Sequence, residues 1–288
     1  MLIVPRKISR HPNAATPTYW FDGKGFESLF FDAVSSTFPE GERFFTLSVR
    51  SFAEQIQDEG LKTQAAYFIR QEGQHSREHD AHMRILDDQG FGTLDQINRF
   101  DRLLMKWMVK LLPRYALAVT TAIEHITAVA AVTLLENEAK YLDPMHEDFR
   151  LMWHWHAVEE IEHKAVTFDV FEEAVGNYTL RLIAALHVAV VFPLELFIRH
   201  LFLLAKEGLL LDVQGWRRGM SFLFGREGFL TKIAGGYGVY FRRNFHPADT
   251  DESCYIAEFE ERYGMHLSHL LAPWFPGAIV SQSQGLHK

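Results

Sequence analysis

Apolar residues recur along most of this chain at three- and four-residue spacing, the period of a buried helix face, and strand-like alternation is not sustained anywhere. Phe44, Phe45, Leu47, Val49, Phe52 and Ile56 mark a first broad apolar face. Its helix is predicted to begin at Pro39, because proline suits the first helical turn, and to break at Asp58-Glu59-Gly60. A short helix over Phe26–Phe38 should end before that proline. A second helix spans about Leu61 to Asp88 and stops at Gln89-Gly90-Phe91-Gly92. Residues 95–112 read as an amphipathic helix, and Pro113 separates it from a third long helix over about Arg114–Tyr141. Asp143-Pro144 turns the chain into a fourth, about Met145–Val175, which Gly176-Asn177 closes.

Beyond it lie a long apolar helix near 179–207, a basic, glycine-containing stretch near 213–245 and a final helix near Asp251–Tyr263. Residues 1–24 read as an irregular leader, and the last 15 residues have the composition of a tail. The expectation is one all-α domain: a leader and short helix over 1–38, a four-helix core over 39–176 and a C-terminal helical extension over 177–288. Leu182–Ile198 is almost wholly apolar but carries His187, Pro193 and Glu195. It falls just short of the roughly 20 residues of a membrane span, so a buried helix or a membrane-surface contact is expected ahead of a crossing.

Composition narrows the function. Hydrophobic residues make up 48% of the 288 positions and charged ones 23%, ordinary for a globular protein with a sizeable core. The net charge of -8 excludes a general nucleic-acid binder, which needs a basic surface. Cys254 is the only cysteine, which rules out an intramolecular disulfide and fits a reducing compartment. Met1–Arg10 has neither a long apolar run nor a small-residue cleavage site. A cytoplasmic protein is expected, at most peripheral to the inner face of the membrane.

The polar residues that interrupt the apolar faces carry the chemistry. Glu42 and Glu124 are lone glutamates, each in a helix that precedes a Glu-x-x-His pair, Glu72-Gly-Gln-His75 and Glu160-Ile-Glu-His163. Spacing of three puts both members of a pair on one helix face, and His156 extends the last face by one turn. Glu42 lies about 17 residues before the first turn and Glu72 about 13 after it; for Glu124 and Glu160 the distances are about 19 and 17. A mismatch of four residues is about 6 Å, so in antiparallel pairs all four carboxylates can share one layer, with 95–112 as the long crossover.

Four glutamates meeting in a core cost several kcal/mol each unless counter-charge is present. Two divalent cations balance them, and neutral imidazoles add ligands without charge. Carboxylates with some imidazole suit iron, manganese or a mixed pair better than zinc. The metal-ligand set expected is Glu42, Glu72, His75, Glu124, His156, Glu160 and His163. Glu40 competes with Glu42, and His154 is the rival of His156, about 200° around the helix. His79 and His82 continue the Glu72 face as supporting or channel residues, or equally as surface residues. Glu159 and Glu162 read as partners for Lys164 or Arg150; His125 faces away from Glu124; Asp169 and Tyr67 are candidates for supporting hydrogen bonds.

These residues resemble the ligand pattern of the ferritin-like superfamily of di-iron and di-manganese carboxylate proteins. The extra histidine before the last pair is similar to the di-iron arylamine N-oxygenases of the p-aminobenzoate type. Phe38-Pro-Glu-Gly-Glu-Arg-Phe-Phe45, Gln71-Glu-Gly-Gln-His75, Glu124-His-Ile-Thr127, Trp155-His-Ala-Val-Glu-Glu-Ile-Glu-His-Lys164 and Asn244-Phe-His-Pro247 resemble a bacterial family labelled "predicted metal-dependent hydrolase". The resemblance implies a ferritin-like four-helix bundle with additional C-terminal helices. The reading that follows is a di-iron oxidase or oxygenase that activates O2 against a small hydrophobic substrate, with an electron-donor protein as partner. Two-metal hydrolysis is the alternative, and non-enzymatic iron binding ranks third. Oligomeric state stays open. The basic residues Arg217, Arg218, Arg226, Lys232, Arg242 and Arg243 read as a solvated helical face, or as a dock for an acidic partner or anionic lipid.

Overall fold

The computed structural model describes residues 3–269, and 78% of them belong to helices. In chain order these are α1 (Gly25–Arg50), α2 (Glu59–Leu86), α3 (Thr93–Leu111), α4 (Pro113–Glu136), the single turn α5 (Glu138–Tyr141), α6 (Glu147–Ala174), α7 (Tyr178–Lys206), α8 (Val213–Phe224), α9 (Phe229–Tyr237) and α10 (Ser253–Tyr263). Local chemistry sets several starts. Asp58 accepts from Leu61 N at 2.6 Å, Asn177 from Leu180 N at 3.0 Å and Asp212 from Gly215 N at 3.0 Å, each taking up a backbone donor that the first helical turn leaves free.

Helices α1, α2, α4 and α6 form the bundle: α1 packs on α2 and α4, α6 on α4 and α2, and α3 crosses between the two halves over α1 and α4. Helix α7 lies on α4 and α1, while α9 packs on α4 and α8 on α1. Glycine permits the last two contacts. A Cβ at Gly219 would stand 2.1 Å from the Phe26 ring, and one at Gly236 2.5 Å from the Val129 side chain.

Two sequence expectations fail. Helix α1 does not start at Pro39 but runs straight through it, joining Phe26–Phe38 to the following helix. Proline at that point costs a backbone hydrogen bond and crowds the carbonyls of the turn before it. Arg199, reaching in from α7, donates to the Ser36 carbonyl at 3.2 Å and to its hydroxyl at 3.1 Å, so one carbonyl of the crowded turn gains a tertiary partner.

The leader is not irregular either. β1 (Arg6–Ile8) pairs antiparallel with β2 (Leu267–His269), Lys7 opposite Ser268. Further on, Trp20 stacks on Phe149 at 3.9 Å and its indole N–H donates to Asp32 at 2.8 Å. A three-residue strand whose partner is some 260 residues away leaves no local periodicity to read. The tail expected over the last 15 residues lies outside the described residues.

Candidate metal centre

Helix α6 is buried around almost its whole circumference, which explains how one helix supplies both the centre and its supports. His156, Glu160 and His163 point between α1, α2 and α4. Glu159 and Glu162, expected at Lys164 or Arg150, instead face β1. The Arg6 guanidinium clasps Glu162 through two hydrogen bonds of 2.9 and 3.1 Å, and Arg6 N donates to Glu159 Oε1 at 2.8 Å. The partner comes from β1 because β1 and α10 cover that side of the helix.

Every residue of the expected ligand set is buried, at 4% exposure or less. One group of donor atoms, from Glu72, His75, Glu160 and His163, lies within 4.8 Å of one another, and a second comes from Glu42, His79 and His156. Glu160 links them, its Oε1 being 2.9 Å from His156 Nε2 and 3.7 Å from both His75 Nδ1 and His163 Nδ1. Glu124 stands outside both groups but reaches His163 Nδ1 at 3.5 Å. Glu42, not Glu40, is at the cluster; Glu40 binds Arg43 and Arg102 at the rim. His154, the rival of His156, sits between Phe259 and Tyr263 on the far side of α6.

The donor atoms are poised for a cation. Both carboxylate oxygens of Glu42, Glu72 and Glu124, and Nδ1 of His75 and His163, are buried without a hydrogen-bond partner. Orphaned buried polar atoms are rare and costly, and here they converge. Burial, reinforced by neighbouring carboxylates, pushes Glu42 and Glu124 well above the usual carboxylate range. Burial pulls the His163 imidazole down, yet the charges of Glu72 and Glu124 outweigh it and raise its proton affinity well above normal. Such a cluster holds positive charge of some kind. Metal cations fit it, since carboxylates and imidazoles are the donor types present.

Supporting contacts orient two of the imidazoles. His163 Nε2 donates to Gln71 Oε1 at 2.9 Å, with the Gln71 amide held the right way round by its own donation to Glu162 at 2.8 Å. That leaves Nδ1 as the nitrogen that faces Glu72, 2.8 Å away. His75 Nε2 meets Glu159 Oε2 at 3.0 Å. Burial pushes the Glu159 carboxyl up to about 8 against the pull of Arg6.

His79 has a larger part than its sequence position implied. Its Nε2 lies 2.7 Å from His156 Nδ1, and its Nδ1 2.7 Å from Ser35 Oγ. Ser35 continues to His82 Nδ1 at 2.7 Å, and His82 Nε2 to Asp32 at 3.0 Å. A buried hydrogen-bonded line therefore joins the cluster to Asp32, whose carboxyl is raised by burial. Asp169 and His125 do not support the centre. Asp169 binds His246 at 2.8 Å, and His125 stacks on Tyr237 and Tyr240, where burial pulls it down to about 4.

A cavity of about 590 Å³ meets the cluster at His156 and Glu160 and continues among α1, α4, α7, α8 and α9. Its walls are apolar almost throughout, with Phe38, Trp153, Phe192 and Leu196 among them. No curated protein and no solved structure shows detectable similarity to the chain. One protein family, described as "predicted metal-dependent hydrolase", matches residues 4–251, which includes the whole cluster and its supports. On that match, covering most of its length, the chain belongs to the predicted metal-dependent hydrolase family.

Proposed function

We propose that this protein is a dinuclear metal enzyme of ferritin-like design that acts on an apolar substrate. The cavity carries this reading: an apolar chamber has the candidate ligands His156 and Glu160 in its wall. The residues that would hold the two ions are Glu42, Glu72, His75, Glu124, His156, Glu160 and His163, with His79 supporting His156 from behind. Bound ions would polarise a substrate oxygen and lower the pKa of a coordinated water.

Family membership supports hydrolysis as the reaction. In that reading the apolar body of the substrate lies along Phe192 and Leu196, which places its polar end at Glu160 and His156. Thr127 donates its hydroxyl proton to Glu160 Oε2 and so orients that carboxylate. The line through His156, His79 and Ser35 gives a proton somewhere to go without opening the chamber to water.

A second reading, oxidation by O2 at two irons, is supported by the donor chemistry and the dryness of the chamber. The donors are carboxylates and imidazoles without a thiolate, and an apolar wall protects reactive species. The test is loading with Fe(II), Mn(II) or Zn(II), followed by assays for acyl-ester cleavage and for O2 uptake. Ester cleavage without O2 uptake supports hydrolysis, and rapid O2 uptake by the ferrous protein without ester cleavage supports oxidation. Binding of fewer than two metal ions per chain overturns the dinuclear reading itself.

A further inference from the structure

Helices α3, α7 and α8 carry an apolar surface that nothing in the fold covers. Among the described residues, every exposed large hydrophobic except Leu47 and Met265 lies on α3 and its C-cap Leu112, on α7 or within 209–224. All of these elements pack over the same α1–α4 side of the bundle. Arg199 of α7 bonds Asn98 and Asp101 of α3, which ties the two helices together. Apolar patches beyond a few hundred Å² mark a partner surface.

The charges on this side identify the partner. Its acidic groups are engaged: Asp95 with Arg99, Asp101 and Glu195 with Arg199, Glu207 with Tyr19, Glu227 with Lys232, and Asp212 as a helix cap. Lys106, Lys110, Arg114 and Arg217 are exposed and, among the described residues, have no carboxylate partner. On a protein of net charge -8, these four cations border the uncovered apolar surface. On α3, Lys106 and Lys110 flank a stripe made by Phe100, Leu103, Leu104 and Trp107, the last 54% exposed. Aliphatic and aromatic side chains bordered by lysine, with an exposed tryptophan, suit the headgroup boundary of an anionic bilayer.

Helix α7 is long and apolar enough to cross a membrane, but it does not lie free to do so. Arg181, Arg199 and His200 on its inner side are buried in the protein, and its length packs on α4 and α1. It can therefore lie on a bilayer and not through it. Phe197, Met220 and Phe224 are exposed on this same side and also line the cavity, so the chamber opens between α7 and α8 into the apolar surface.

We propose that the α3–α7–α8 surface docks on an anionic lipid bilayer, and that the cavity mouth at Phe197, Met220 and Phe224 takes its substrate, an amphiphile with a long apolar chain, directly from that bilayer. The docking stands on the surface alone, whereas the substrate route rests on the metal-enzyme reading. A membrane-embedded mouth spares the apolar substrate from entering water.

Flotation of the full chain with vesicles tests the docking. Vesicles containing phosphatidylglycerol should carry the protein upward, and pure phosphatidylcholine vesicles should carry far less. Lys106→Gln and Lys110→Gln should each lower partitioning about fivefold, and Leu104→Glu with Trp107→Glu should abolish it while leaving the thermal transition unchanged. Brominated phosphatidylglycerol should quench tryptophan fluorescence less in Trp107→Phe. No flotation, or equal flotation on both lipids, overturns the proposal. So does a stable dimer, seen by sedimentation, that persists with anionic vesicles and dissociates in the glutamate variants, because the surface then covers a second copy. Glu72→Ala protein, lacking a candidate metal ligand, should still float, which separates failure of docking from failure of the metal reading.

Discussion

His163 Nε2 and Gln71 Oε1 lie 2.9 Å apart, and this contact decides which nitrogen of the imidazole faces the carboxylates. An amide oxygen can only accept, so Nε2 carries a proton and Nδ1 is the nitrogen turned to the carboxylates, or to a cation they hold. Gln71→Leu removes the acceptor and frees the ring to turn or change tautomer. Divalent metal affinity, measured by competition with a chromogenic chelator, should fall 10- to 100-fold. Unchanged affinity would show that Gln71 only fills space.

Metal binding should stabilise the fold, because the carboxylates lose their counter-charge when the ions are removed. At 100-fold excess over Kd the gain is about 2.7 kcal/mol, or roughly 5–10 °C in Tm. Glu124→Gln should act with opposite signs on the two forms. The metal-free protein should melt higher, since folding no longer has to bury and protonate that carboxyl, and the added stabilisation by metal should shrink. Calorimetry with and without chelator checks both.

Ser35 joins His79 to His82 through one hydroxyl. Ser35→Ala leaves two buried imidazole nitrogens without that partner and should cost about 1–3 kcal/mol in urea unfolding. Metal stoichiometry should stay at the wild-type value, because no expected ligand is altered. If activity is found, it should fall in this variant through kcat and not through KM.

Stability should drop as pH falls below neutrality. Burial pulls His154 down to about 3, and His125 and His200 to about 4, from the usual value near 6.5. Each folded-state value lies below the unfolded one, so protons bind first to the unfolded chain. The stabilisation is complete above pH 6.5 and is lost between there and about pH 3–4. At pH 5 each histidine should cost about 1–2 kcal/mol, and His125→Phe should flatten the Tm profile over that range.

Arg6 is the only cation that touches both Glu159 and Glu162 among the described residues. Arg6→Ala strands those charges in the interior and should destabilise the fold by about 3–5 kcal/mol. Pairing it with Glu162→Leu should recover part of the loss, read from denaturant midpoints.

How far the site could be read from sequence follows from the range of each interaction. Glu72 and His75, or Glu160 and His163, are three residues apart on one helix, so their shared face is a matter of local geometry. The bundle order, the amphipathic crossover and the lone Glu124 in an apolar stretch are equally local signals. His79 was visible only as a continuation of the Glu72 face. Its contact with His156, 77 residues away, depends on how α2 and α6 pack. The sequence also set helix limits at Pro39, where proline chemistry alone argues for a start; the Arg199 contact with the turn before it comes from 163 residues away.

By itself, then, the sequence determined most of the helices, their buried faces and the spacings that let four glutamates and three histidines approach one level, since each depends on spacing within a helix or distance from a turn. Tertiary structure decided the rest. It chose Gln71 and Glu159 as supports, turned Glu159 and Glu162 inward to meet Arg6, and set an apolar chamber against Glu160. It also left α3 and α7 with an uncovered face. These outcomes depend on which surfaces meet across large sequence separations, where no periodic signal exists and burial alone determines what a polar side chain must find as its partner.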